Sequence, residues 1–243
     1  MKVIYDLTDP WELYLPTLNQ CIEEYACKSL CEIGGGAFPA ISLDQIKKQQ
    51  LDYTILDISQ IELDRAPAEY KKLLADICQP DLEIKQQYDF IFSKMLAEHV
   101  QDPRLFHANV YKLLKPGGIA FHFFPTLYSM PFLINWLVPE SAAKILFKLF
   151  VCKDPIEHKR FSAHYQWCKG PTKNQIRNFQ NLNYEILVYR GFFGHKYYDK
   201  ISGLRAIHKF WVRLLAKFPN PNLTSFAFVI LRKKVGTGCD LSG

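Results

Sequence analysis

Glu32-Ile33-Gly34-Gly35-Gly36 closes an apolar run and opens a segment of helical period, a junction at which a main chain can meet a ligand. Glycines are costly inside regular structure. They let a backbone turn tightly and approach a bound group, and a helix start behind them offers unpaired amide donors. Read alone, the cluster is equally a tight turn. Asp57, with Ile58 behind it, ends the next strand-like run about twenty residues on, where a doubly wound sheet sets an acid against ribose hydroxyls. The competing role for Asp57 is to cap a helix beginning at Ile58-Ser59. Asp76, followed by Ile77, ends a third and weaker run on another carboxylate.

These residues need elements to hold them, and the chain alternates short apolar runs with segments of helical period from Lys28 onward, the rhythm of βαβ units. Strands are expected at Lys28–Ile33, Asp52–Asp57, Leu73–Asp76, Tyr88–Ser93, Ile119–Phe124, Tyr184–Phe193 and Thr224–Arg232. Asp102–Leu114 has helical spacing and stops at Lys115-Pro116-Gly117-Gly118. Thr172–Leu182 reads as a helix with Thr172 as its cap, and Tyr197–Lys217 as a mostly helical excursion. One domain is expected over 1–243. Its parts are a helical lead-in over 1–27, a ligand-binding core over 28–126, an inserted helical region over 127–171 with a helix from Ser141, strands and helices over 172–235, and a disordered tail over 236–243.

The chain has 243 residues, 49% of them hydrophobic, enough for an ordinary globular core and incompatible with a fibre or a disordered chain. Its charge is unevenly spread. Met1–Glu140 carries 12 basic and 19 acidic residues, whereas Ser141–Gly243 carries 18 and 5. A basic half can meet nucleic acid, anionic headgroups or an acidic small molecule. Met1–Gln20 lacks the basic start and unbroken apolar run of a secretory signal, so a cytoplasmic location is expected. Pro116–Pro139 has no Lys, Arg, Asp or Glu, but prolines, glycines, His122 and Asn135 make it a poor membrane span. The 7 cysteines form no paired metal-ligand spacing and read as core residues or free thiols, so no metal is expected.

Taken together, Glu32-Ile33-Gly34-Gly35-Gly36, Asp57, Asp76, Tyr88-Asp89-Phe90-Ile91, Glu98-His99-Val100 and Leu113-Leu114-Lys115-Pro116-Gly117-Gly118 resemble class I S-adenosylmethionine-dependent methyltransferases of the type 11/12 kind. The resemblance is strongest over Leu30–Phe124. It implies an α/β, Rossmann-like sheet of seven strands, mostly parallel, in the order 3-2-1-4-5-7-6 with an antiparallel last strand, flanked by helices, with a helical insertion after the fifth strand. It implies S-adenosyl-L-methionine as cofactor. Glu32, Gly34, Gly35 and Gly36 would pass beneath its methionine and ribose, Asp57 and Ile58 would meet the ribose and its surroundings, Asp76 and Ile77 the adenine, and Ser93 and Lys94 the methionine side. Phe38 stands where the fuller family pattern has a third glycine.

For a hydroxyl acceptor, a base belongs near the ends of the fourth and fifth strands, which makes His99 and His122 the catalytic candidates. The acceptor pocket must come largely from the insertion. Tyr128, Trp136, Arg160, His164, Tyr165 and Trp167 are the candidates there, with Arg160 able to pair with an acidic group. The expected partner is a small-molecule acceptor. A lipid- or quinone-like acceptor at the membrane surface is the second reading, prompted by Phe132, Leu133, Trp136 and Leu137 beside the basic half, and a catalytically inactive cofactor-binding relative is the third. Nucleic acid is disfavoured, because Ser93-Lys94-Met95-Leu96 replaces the Asn/Asp-Pro-Pro-aromatic signature of base methylation.

Overall fold

The computed structural model describes residues 1–127, 163–196, 198 and 202–235. Tyr128, Trp136, Arg160, the apolar Phe132–Leu137 segment, the helix expected from Ser141 and the tail over 236–243 lie outside the described residues.

In chain order the elements are β1 (Lys2–Asp6), α1 (Pro10–Glu24), β2 (Ser29–Ile33), α2 (Leu43–Gln49), β3 (Asp52–Asp57), α3 (Gln60–Arg65), β4 (Lys71–Leu74), β5 (Tyr88–Lys94), α4 (Pro103–Leu113), β6 (Leu114–Pro125), α5 (Lys173–Asn181), β7 (Tyr184–Phe192), α6 (Ser202–Lys217) and β8 (Phe226–Lys233). Short side chains start the helices by accepting from exposed amides. Asp102 takes Leu105 N at 2.9 Å and Thr172 takes Gln175 N at 3.2 Å.

The strands form one sheet in the order β1-β7-β8-β6-β5-β2-β3-β4, with β8 antiparallel to both its neighbours. Counted without β1, this is the expected 3-2-1-4-5-7-6 arrangement with a reversed last strand. The eighth strand is the difference, because the first residues were expected to be only a helical lead-in. Lys2–Asp6 instead pairs in parallel with Val188–Phe192. A five-residue run containing Val3, Ile4 and Tyr5 suits a pleated edge, but its partner lies far along the chain, so no local signal marked it.

Alternation along the central strands supplies two cores. Phe90, Phe92, Phe121, Phe123 and Phe228 point to one face, where Tyr14 and Leu18 of α1 and Leu63 of α3 cover them. Cys31, Ile91, Ala120 and Val229 point to the other, against Phe106 and Val110 of α4 and Phe179 of α5. Each strand buried on both faces reads as a continuous apolar run.

The two most specific parts of the sequence pattern meet physically. Asp89 accepts from Lys115 Nζ at 2.9 Å and from the main-chain N–H of Lys28 and Ser29 at 3.1 and 2.8 Å. One carboxylate therefore ties the starts of β2, β5 and β6 together. Burial alone would raise its pKa, but the ammonium and the two amides hold it below the ordinary carboxylate range.

Candidate active site

The carboxyl ends of the parallel strands β2, β3 and β5 open at one edge of the sheet, and the candidate residues gather there. Gly34 leaves β2 with φ 74° while its N–H donates to Leu56 O at 2.8 Å. Gly36 has φ 38°, and a Cβ there would lie 3.1 Å from Asp57 Oδ2 and 3.0 Å from Glu62 Cβ. The loop thus needs bare backbone where it passes the acid of β3.

Glu32 works from underneath. It is buried, and its Oε2 accepts from Ala40 N at 2.8 Å and from the hydroxyl of Tyr53. A side chain at position 35 would run into this carboxyl, since the Gly35 Cβ would sit 2.9 Å from Glu32 Cδ. Burial pushes the Glu32 pKa up, and the Tyr53 hydroxyl, the Ala40 amide and the charge of Lys94 pull it back. Glu32 therefore anchors the glycine loop to β2 and β3.

Asp57 is half-buried, and its Oδ1 accepts from Ser59 N at 2.9 Å. Burial raises its pKa, while the amides of Ser59, Gly36 and Ile58 lower it. The two roles considered for Asp57 are not exclusive. Ser59 itself caps α3, accepting from Glu62 N at 3.3 Å, so Asp57 supports the turn and keeps Oδ2 on the loop side. Ile58 is 58% exposed beside it. Asp76 lies two residues past β4, exposed, with Oδ1 accepting from Cys78 N at 2.8 Å. Ile77 is buried, and its carbonyl takes the Asn109 amide at 2.8 Å.

Ser93 and Lys94 leave β5 on opposite faces. Ser93 is buried, with Oγ 2.8 Å from His122 Nδ1 on the paired strand. Lys94 lies on the α1 side, its Nζ 5.7 Å over the Tyr14 ring. His122 is enclosed by Phe106 and His107 of α4, and burial lowers its pKa to about 3. It is neutral at physiological pH and a weak base.

His99 ends the 3-10 turn Ala97–His99 that follows β5, and its side chain is 35% exposed. Its Nε2 lies 3.8 Å from Oε1 of Glu98. Glu98 is buried, and burial pushes its pKa up to about 8. Its main-chain carbonyl accepts from the N–H groups of both His164 and Tyr165, at 2.6 and 3.1 Å. This is how the segment carrying three of the acceptor candidates is fastened to the end of β5.

That segment divides. His164 is partly exposed beside the turn, whereas Tyr165, held at φ 50°, is buried in the core. Trp167 stacks on His107 at 5.6 Å and meets Phe179 edge-on at 5.9 Å. Sequence reasoning passed over Glu98 as a functional residue. Its signal was present in the Glu-His-Val motif, but the segment that fastens to its carbonyl lies far along the chain.

The glycines, the open approach to Asp57 and the exposed carboxylate of Asp76 fit a nucleoside with vicinal hydroxyls and an amino group. Phe38 is 65% exposed, with Arg65 Cζ 5.8 Å from its ring. Among the described residues no group of three or more His, Cys, Asp or Glu could hold a metal ion. Cys21, Cys27, Cys31 and Cys168 are buried free thiols.

The family described as a methyltransferase domain matches residues 32–122. No curated protein matches the chain. Among solved structures, it is similar to an S-adenosylmethionine-dependent methyltransferase of Clostridium acetobutylicum, at 10% identity over 92% of each chain and TM-score 0.57. It is similar also to one from Archaeoglobus fulgidus, at 16% identity over 91% of this chain and 94% of that one, TM-score 0.53. A third is phosphoethanolamine N-methyltransferase 2 of Haemonchus contortus in complex with S-adenosyl-L-methionine, at 14% identity over 91% of this chain and 53% of that one, TM-score 0.51. These likenesses are of fold, and two of the three structures are described as S-adenosylmethionine-dependent methyltransferases while the third holds that molecule. Residues 32–122 match the methyltransferase-domain family, and the chain is built on the fold shared by the S-adenosylmethionine-dependent methyltransferases to which it is similar.

Proposed function

We propose that this chain transfers a methyl group from S-adenosylmethionine to a hydroxyl of a small-molecule acceptor that is apolar or aromatic, or carries an acidic group. The cofactor supplies an activated methyl with its own leaving group, so the protein's work is to hold, align and remove a proton. Asp57 binds the ribose hydroxyls, Asp76 takes the adenine amino group between Ile58 and Ile77, and Gly34 and Gly36 let the main chain lie against the methionine and ribose. Ser93 and Lys94 line the methionine side. The acceptor enters over His164, with Tyr128 and Arg160 as further contacts.

The observation that carries the acceptor reading is the buried carboxyl of Glu98 beside the partly exposed imidazole of His99, 3.8 Å apart at the end of β5. A proton leaving the acceptor hydroxyl passes to His99, and the neighbouring Glu98 carboxyl, largely protonated near neutral pH, holds the turn that presents the imidazole. His122, deeply buried and held near pKa 3, orients Ser93 in this scheme.

Incubation with methyl-labelled cofactor and a cell extract, followed by identification of the labelled product, tests the assignment; labelled ether or ester is expected, and no labelled product overturns it. Asp57→Ala is expected to weaken cofactor binding about tenfold or more through the loss of charged hydrogen bonds. His99→Ala is expected to lower kcat about a hundredfold or more with cofactor affinity unchanged. An equal loss of affinity in both variants would remove His99 from the proton-accepting role.

A further inference from the structure

Helix α6 presents an unusual surface. Ile207, Phe210 and Phe218, at its end, are 67%, 70% and 65% exposed, and Trp211 and Leu214 beside them are also exposed. Their spacing places all five on one arc of the helix. Val212 and Leu215, on a neighbouring arc, make the only described buried hydrophobic contacts of the helix body, against Phe193, Tyr5 and Leu223. On the opposite flank of the apolar arc run Arg205, Lys209, Arg213 and Lys217, each four residues from the next and all exposed. The helix has no acidic residue. Spare aromatic surface is ordinary when scattered singly, but a contiguous apolar arc edged by a cationic row is the pattern of a helix that lies in a headgroup layer.

The place of α6 in the fold gives this surface a consequence. The chain leaves the sheet after Phe192 and returns at Phe226, and those two residues are paired across β7 and β8. Phe226 also pairs with Pro125, at the carboxyl end of β6. The excursion that holds α6 therefore projects from the same edge of the sheet as the glycine loop, Asp57 and His99. A surface gripped by α6 meets the molecule at the end where the site opens.

We propose that α6 is a peripheral docking helix for an anionic lipid surface. Ile207, Phe210, Trp211, Leu214 and Phe218 enter the boundary between headgroups and acyl chains, and the row Arg205, Lys209, Arg213 and Lys217 meets the lipid phosphates. The docking goes beyond the choice of acceptor and stands whether the acceptor is carried in the lipid or in water. Charge selects this occupant. A second copy of the chain would bring an identical cationic row against the first, whereas an anionic lipid layer offers both an apolar phase and the opposite charge. Nucleic acid would satisfy the cations and leave the five apolar side chains in water.

Co-sedimentation of the full chain with unilamellar vesicles tests the proposal, using phosphatidylcholine with and without about a third phosphatidylserine. Binding to the anionic vesicles is expected, with at least about tenfold weaker binding to phosphatidylcholine alone and at high salt. The exposed-face variants Phe210→Ser with Phe218→Ser, and Lys209→Glu with Arg213→Glu, are each expected to weaken binding about tenfold or more while circular dichroism and cofactor affinity stay unchanged. Failure of the wild-type chain to sediment with anionic vesicles overturns the proposal, as does undiminished binding by either variant. A dimer seen by light scattering without lipid, and abolished by Phe210→Ser with Phe218→Ser, would assign the face to a second copy instead.

Discussion

Glu98 shows how a single side chain can carry a pH dependence that its motif does not announce. Burial holds its carboxyl at about 8 in the folded chain, against an ordinary value of 4.5. Between those two values the folded state binds more protons than the unfolded chain, so the contribution of this group to stability is complete below about pH 4.5 and is lost as pH rises through the folded pKa. A tenfold change in proton affinity corresponds to about 1.36 kcal/mol, so the loss is large enough to measure. Glu98→Gln keeps the shape of the protonated acid and removes the titration. Its melting temperature should match that of the natural chain near pH 5 and exceed it by several degrees near pH 8.5, measured by scanning calorimetry across that range. Parallel melting profiles for the two proteins would mean that Glu98 ionises in the folded state much as it does in water. Cofactor candidates such as Asp57 were legible because residue type, strand end and spacing all pointed the same way. Glu98 was not, since His164 and Tyr165, whose N–H groups donate to its carbonyl, come from a segment more than sixty residues away.

At the scale of elements, the strands and helices of the core could be read from alternation, caps and glycine turns, and the same physics explains what was missed. Asp52–Asp57 is a run of apolar and β-branched residues ending on a carboxylate, and it is β3 with the same bounds. Lys2–Asp6 carries an equally ordinary run, but an edge strand is defined by a partner, and β7 is reached only after most of the chain has folded. The glycine loop depends on a comparable long-range support. Tyr53 of β3 donates to Glu32 at the end of β2, beneath the loop, and Ala40 donates from the loop's far side. Tyr53→Phe leaves a buried carboxylate with one donor fewer, a loss of about 1–3 kcal/mol. A fall in melting temperature of about 2–10 °C is expected, together with weaker cofactor binding transmitted through Glu32 beneath the loop. Thermal denaturation alongside cofactor titration checks both, and a loss of stability with affinity intact would detach the clamp from the loop's function.

Across the whole molecule the split of charge between the two stretches of sequence becomes a division of labour. Part of it is neutralised where the first residues meet β7 and the segment after it. Asp6 pairs with Arg190 at 3.5 Å, and Lys196 reaches Asp9 at 3.7 Å and Glu12 at 2.5 Å, so the acidic lead-in is stitched to the basic half along the β1 edge. Lys196 and Glu12 are well exposed, and such pairs add about 0–1 kcal/mol each and are screened by salt. The cationic row of α6 has no acidic residue on its own helix to offset it. Salt should therefore separate the two roles of charge in one experiment. Raising sodium chloride from about 0.05 to about 0.5 M shortens the Debye length from beyond a helix diameter to well within one. The melting temperature is expected to move by no more than about 2 °C, because two buried faces of the sheet, rather than surface ion pairs, hold the fold. Binding to anionic vesicles should fall by about tenfold or more over the same range. A large drop in melting temperature would show that the basic half is needed to keep the fold closed, and the charge asymmetry would then belong to stability instead of to a partner.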